Sequence, residues 1–199
     1  MGCVPVFLLP HLPSEDNRKG IRARSEQPPI EETKLEVERV FHFAHWDTLK
    51  FAYLTTWLRM LAPIFEHVYC PTESVRHIES AKVWREVLGL KEIKCDHRLN
   101  GIDYGAFKGK VAKLEPPALE FIDQPYPGGE SYWEVIERTR SFCEEELKNH
   151  DREPALIVSS AGSTRRAFAH LCNGVPLEEA VMFSARDFRE LSWLFFYRF

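Results

Sequence analysis

The sequence predicts an α/β fold with a largely parallel sheet, and three observations carry that reading. Two continuous apolar runs of strand length, residues 4–9 (VPVFLL) and Ala155–Ser159 (ALIVS), have the pattern of strands covered on both faces. Between them, segments with helical spacing alternate with short strand-like segments. Each apolar run opens into a loop carrying polar residues, and open α/β sheets form sites where strand carboxyl ends meet helix N-termini.

The elements follow in order. The first run ends at Pro10, and Pro13 follows, so the chain enters a loop. Residues 14–39 are polar and charge-rich, with Pro28-Pro29 near the middle, and read as an irregular excursion. Across 48–62, Leu49, Ala52, Tyr53, Leu58 and Leu61 recur near helical spacing, and Pro63 is the stop. Residues 64–69 read as a short strand. Over 74–88, Val75, Ile78, Ala81 and Leu88 share a stripe, Ser74 caps the helix and Gly89 ends it. Residues 92–95 form another strand, and 98–129 are Gly- and Pro-punctuated loop. Gly128-Gly129-Glu130-Ser131 opens a long helix whose stripe is Tyr132, Val135, Ile136, Thr139, Phe142, Cys143 and Leu147. After the second apolar run, Ala161-Gly162-Ser163 leads into a helix ending near Asn173-Gly174. The chain closes with a strand over 191–199, where Leu191, Trp193, Phe195, Tyr197 and Phe199 share one face. Leu194 and Phe196 make the other face apolar too, so this strand either lies buried in the sheet or offers aromatic surface to a partner.

Composition bounds the function. The 199 residues carry 26 Lys+Arg against 30 Asp+Glu, a net charge of −4, which argues against nucleic acid and against polybasic membrane binding. The expectation is one domain over 1–199, with a polar excursion at about 18–39. The longest apolar stretch, 51–65, contains Arg59 and Pro63 and is shorter than the ~20 residues of a bilayer span, so no transmembrane segment is expected. Five cysteines (3, 70, 95, 143, 172) form no CxxC pair, which suits reduced thiols in an intracellular protein, in the cytosol or an organelle interior. No secretory signal is read at the N-terminus. Met1-Gly2-Cys3 looks like a dual-acylation start, but Val6 stands where Ser or Thr is wanted, and a strand beginning at Val4 leaves little reach to a bilayer. His42 and His45, beside Asp47, lack a third ligand of known geometry and lie among packing aromatics, so no metal and no cofactor are expected.

The polar residues that matter are His11, Ser14 and Asn17 after the first strand, Arg76 in a first helical turn, and Ser160 and Ser163 after the second strand. Backbone N–H groups and the helix dipole at such places suit phosphate. Five elements in this order resemble the histidine phosphatase (phosphoglycerate mutase-like) superfamily. Its Arg-His-Gly-Glu-Thr-x-x-Asn motif is echoed by Pro10-His11-Leu12-Pro13-Ser14-Glu15-Asp16-Asn17. Its Arg followed four residues later by Thr-Ala is matched by Arg76 and Ser80-Ala81. Arg98 to Gly109 echoes its Arg-Leu-x-Glu-x-x-Phe-Gly-x-Trp-x-Gly loop. Pro-Gly-Gly-Glu-Ser is present verbatim at 127–131, and its Val-Ser-His-Gly-Gly-x-x-Arg-Ala turn appears as residues 158–166. The resemblance implies a three-layer phosphoglycerate mutase-like fold, with a mostly parallel central sheet and helices on both faces.

By the same resemblance, His11 is the vestigial nucleophile, and Arg76, Asn17 and Ser160 stand at phosphate-binding positions. The departures are severe. The family's first arginine is Pro10, its second histidine is Ser160, and its proton-donating carboxylate is Gly101. A lost donor to a developing anion costs about 10²–10³ in rate, a lost general acid about 10²–10⁴, and Pro10 also deletes a backbone N–H beside the pocket. Plainer readings stay open: His11 as an inherited loop histidine, Arg76 holding Asp103 or Glu130, and Ser160 capping the helix that follows. The expected function is a catalytically inactive, structural or scaffolding subunit of a larger complex, for instance a mitochondrial one, with other subunits as partners and weak phosphate binding at most. The alternative is a divergent phosphatase or mutase acting through His11 on a phosphorylated small molecule or phosphoprotein.

Overall fold

A computed structural model describes residues 2–12, 14–19, 21, 26, 28–29, 31, 60, 62–111, 117–149, 153–159, 162–183 and 194–199. The two apolar runs form neighbouring parallel strands at the heart of a five-stranded sheet. They are β1 (Cys3–Pro10) and β4 (Ala155–Ser159), in register Val6 to Ala155 through Pro10 to Ser159. β4 also pairs in parallel with β2 (His67–Cys70), which pairs in parallel with β3 (Glu92–Cys95). β5 (Leu194–Arg198) is antiparallel to β1, and the order is β3-β2-β4-β1-β5.

Period-two alternation sorts the central strands between two cores. Val4, Val6 and Leu8 of β1, with Ala155 and Ile157 of β4, pack on Phe142, Cys143, Leu147, Phe168 and Ala169. Those residues belong to α3 (Tyr132–Glu145) and the turn after it, and to α4 (Ser163–Asn173). On the opposite face Leu9, Val68, Leu156 and Val158 pack on Ala81, Val83, Trp84 and Leu88 of α2 (Val75–Leu88). The sheet is therefore covered on both sides, and burying each such aliphatic side chain contributes about 1.5–3 kcal/mol.

Element ends follow the local chemistry. α3 opens with a capping box: Ser131 accepts from the Glu134 N–H while the Glu134 carboxylate accepts from the Ser131 N–H. α2 and α4 end at Gly89 and Gly174, both left-handed, with φ of 68° and 67°. α1 is a single turn (Glu15–Arg18) at the start of the excursion, whose Ile21 bridges to Val111.

Some expectations need correction. The buried stripe of α2 is His77, Ser80, Ala81, Val83, Trp84 and Leu88; Val75 is exposed, because the stripe is rotated toward the Trp84 ring that fills the core. The segment over 64–69 begins with a tight turn (Ala62–Ile64), leaving only His67–Cys70 extended. Ser74 occupies the α2 N-cap but makes no side-chain cap, and the α4 N-cap is Gly162 rather than Ser160. A short helix, α5 (Leu177–Met182), was not anticipated. β5 is an edge strand whose Phe195 and Tyr197 point inward, with Phe196 46% exposed. Ser160, His42, His45 and nearly all of 48–62 lie outside the described residues.

Candidate anion site at the strand carboxyl ends

β1, β2, β3 and β4 run parallel, so Pro10, Cys70, Cys95 and Ser159 end on one edge of the sheet, and the loops that follow meet there. The ladder continues one step past the strand ends, with the His11 N–H donating to the Ser159 carbonyl at 3.3 Å. The Leu12 N–H donates to Ser80 Oγ at 2.8 Å, which fastens the loop to α2.

Beside that loop, α2 places Arg76 and His77 in its first turn. The His11 ring meets the His77 ring edge-on, with centroids 4.6 Å apart and planes at 67°. His11 Nδ1 lies 2.9 Å from the Leu12 carbonyl, which fixes the proton on Nδ1 and leaves Nε2 with its lone pair. Burial lowers the His11 pKa to about 4, helped by the Arg76 guanidinium and, less strongly, by Arg165; the Leu12 bond opposes them. The ring is therefore neutral at pH 7.

Arg165, in the first turn of α4, is 4% exposed, and burial lowers its pKa to about 10. Two guanidinium groups thus stand near His11. Burial likewise lowers Arg76, opposed by the carboxylate of buried Asp16. The carboxylates expected for Arg76 are engaged elsewhere. Glu130 pairs with Arg138 at 3.0 Å, and Asp103 with Lys108 at 2.8 Å.

An open cleft of about 330 Å³ lies here, its walls including Ser74, Arg76, His77, Asn100, Gly101 and Asp103. His77, not His11, lines it. Where the resemblance puts a proton donor, Gly101 presents only backbone, its carbonyl accepting from Arg138 Nη2 at 3.3 Å. Asp103 cannot replace that donor near neutral pH. Burial alone would raise its carboxyl, but Lys108 and the Gly105 N–H, 2.6 Å from Oδ1, outweigh that and hold it below the usual range.

The structure thus brings His11, Arg76 and Gly101 to one region, places Pro10 at the end of β1 and Asn17 in α1, and does not describe Ser160. Sequence reasoning missed His77 and Arg165. Arg165 could have been found, since it falls on the arginine of the strand-to-helix turn quoted above. His77 gave no signal beyond its position next to Arg76.

The sequence model of the histidine phosphatase superfamily (branch 1) matches residues 56–198. With the parallel sheet and the strand-end cleft, this match establishes that the chain belongs to that superfamily. Similar solved structures include mycobacterial hydrolase 1, at 15% identity and TM-score 0.69, covering 92% of this chain and 86% of that one. A mycobacterial glucosyl-3-phosphoglycerate phosphatase in complex with VO3 matches at 16% identity and TM-score 0.66, covering 92% and 86%. Bacillus stearothermophilus YhfR matches at 20% identity and TM-score 0.67, covering 91% and 85%. At these identities the likeness shows the fold. No curated protein sequence matches the chain. Among the described residues, no helix is long and apolar enough to cross a membrane.

Proposed function

We propose that this histidine phosphatase superfamily member is a pseudophosphatase: its cleft binds the phosphoryl group of a small molecule or phosphoprotein without turning it over at the family's rate. The observation that carries the reading is the composition of the cleft wall: Arg76 and His77 are among its lining residues, His11 is not, and Gly101 offers no proton donor. A phosphatase needs a nucleophile in reach of phosphorus and an acid for the leaving oxygen. Retained cationic groups near His11 still favour an oxyanion. One similar structure is a complex with VO3, a phosphoryl-like anion, which supports reading this chain as an anion binder.

The test pairs turnover with binding. With an aryl phosphate and phosphoglycerates as substrates, turnover should not exceed that of His11→Ala, while inorganic phosphate binds by calorimetry and Arg76→Ala abolishes the heat. Turnover that disappears in His11→Ala would establish the divergent phosphatase instead.

A role as a non-catalytic subunit of a larger assembly is the second reading, favoured by the exposed Phe196 of edge strand β5 and Phe199 just after it. Native mass measurement on gently lysed cells should place the chain in a larger particle; a free monomer of about 23 kDa overturns it.

A further inference from the structure

The cleft wall at the N-terminus of α2 carries two polar side chains that make no side-chain hydrogen bond among the described residues. Ser74 is 8% exposed and His77 0% exposed, and neither Ser74 Oγ nor either ring nitrogen of His77 has a hydrogen-bond partner among the described residues. Buried polar groups left unpaired cost about 1–3 kcal/mol each, so native proteins retain them where something else completes them. Both residues line the cleft, and Arg76 stands between them in sequence. The family pattern matched by Arg76, Ser80 and Ala81 specifies neither of the two positions.

The chemistry of the missing partner follows from the donors. Ser74 holds the N-cap of a 14-residue helix without a side-chain cap, so the positive end of the helix dipole lies at the same wall. Burial, with His11 and Arg76 beside it, keeps the His77 ring neutral, so it offers one N–H donor. A serine hydroxyl, an imidazole N–H and a guanidinium at a helix N-terminus suit a tetrahedral oxyanion. Of the three acidic residues on the wall, Asp103 and Glu130 are paired with Lys108 and Arg138, and the third, Glu73, is exposed to solvent.

We propose that Ser74 and His77 donate hydrogen bonds to a phosphoryl group held by Arg76, with His77 supplying from α2 the imidazole donor that is absent at position 160. The inference rests on reading the cleft as a phosphate site, and it assigns two oxygen-binding residues that family resemblance does not.

The experiment is titration of the full chain with inorganic phosphate, followed by calorimetry and by ³¹P NMR line width. His77→Leu removes both nitrogens at similar volume and should weaken binding about tenfold or more, as expected for a bond to a charged ligand. His77→Gln keeps an N–H donor and should recover most of that loss. Ser74→Ala should weaken binding severalfold while leaving the fold intact, and it decides the matter if His77→Leu does not fold by circular dichroism. Wild-type binding unaltered by His77→Leu and Ser74→Ala overturns this inference and leaves the phosphate reading standing. Absence of wild-type binding overturns both.

Discussion

The Leu12 backbone N–H donates to Ser80 Oγ at 2.8 Å across 68 residues of sequence, so one hydroxyl joins the loop of His11 to the helix of Arg76. The same hydroxyl donates to the Arg76 carbonyl one turn back, which uses its single proton and fixes its direction. The hydroxyl thereby ties the backbone next to His11 to the turn that carries Arg76. Ser80→Ala leaves the Leu12 N–H buried without a partner, and the expected cost is about 1–3 kcal/mol in a urea titration. Ser80→Thr should restore most of it. Equal midpoints for wild type and Ser80→Ala would remove the hydroxyl from this role.

The cleft's second wall depends on two glycines in backbone contact. A Cβ on Gly129 would stand 2.1 Å from the Asp103 carbonyl oxygen, and one on Gly105, at φ +49°, 2.2 Å from the Pro127 oxygen. The bonds made by this close approach are Ala106 N–H to Pro127 O and Glu130 N–H to Asp103 O, both 2.9 Å. Gly129→Ala must therefore push the two loops apart, and about 1–3 kcal/mol of destabilisation is expected from such overpacking. Gly128→Ala is the control: its φ of +71° is strained for alanine, but no atom lies within 4 Å of the added carbon. If Gly129→Ala leaves the urea midpoint unchanged, the loop contact does not resist the added carbon.

How far the sequence foretold this structure depended on whether a residue's signal was local. Ser131 and Glu134 announce their capping box within four positions, and the stripe from Tyr132 to Cys143 is buried as its spacing requires. The apolar runs of β1 and β4 admit only a doubly covered strand at their length. The phase of α2 was harder, because its inner face is built from His77, Ser80 and Trp84, which hydrophobic spacing does not count as core. His77 shows the limit most clearly. Nothing in its neighbourhood distinguishes a surface histidine from one pressed edge-on against His11, 66 positions away, and only the return of α2 over the end of β1 creates that contact.

Cys70 and Cys95 are register partners at the ends of β2 and β3, with sulfurs 3.4 Å apart. Burial pushes the Cys70 thiol far above its usual range, and the bond to Cys95 pushes it further. Cys95 is exposed. Since the thiolate is the reactive form, iodoacetamide at pH 8 should modify Cys95 well before Cys70, as read by peptide mass mapping of a time course. Cys143 and Cys172, both raised by burial, should also lag. Simultaneous labelling of Cys70 and Cys95 would mean that the β2–β3 edge opens on the labelling timescale.

Acid should destabilise the fold in a window set by the histidine pair. Burial, then Arg76 and Arg165, lower His11 from 6.5 to about 4, and burial with His11 and Arg76 lowers His77 as well. Above pH 6.5 the rings are neutral in both folded and unfolded chains, so they contribute no pH dependence. As pH falls from 6.5 toward 4 the unfolded chain takes up protons that the folded chain refuses, and stability declines; the His11 part reaches at most about 3 kcal/mol. Asp96 and Asp103 act in a different window. Arg98 and Lys108 hold their folded pKa values below 3.8 against the opposing effect of burial, so their contribution is lost only below about pH 4. Urea midpoints of wild type should therefore drop between pH 7 and 5, and the drop should shrink in His11→Gln, which cannot titrate. An equal drop in both proteins would show that the His11 ring is protonated as readily in the folded chain as in the unfolded one, and would place it in water rather than against His77.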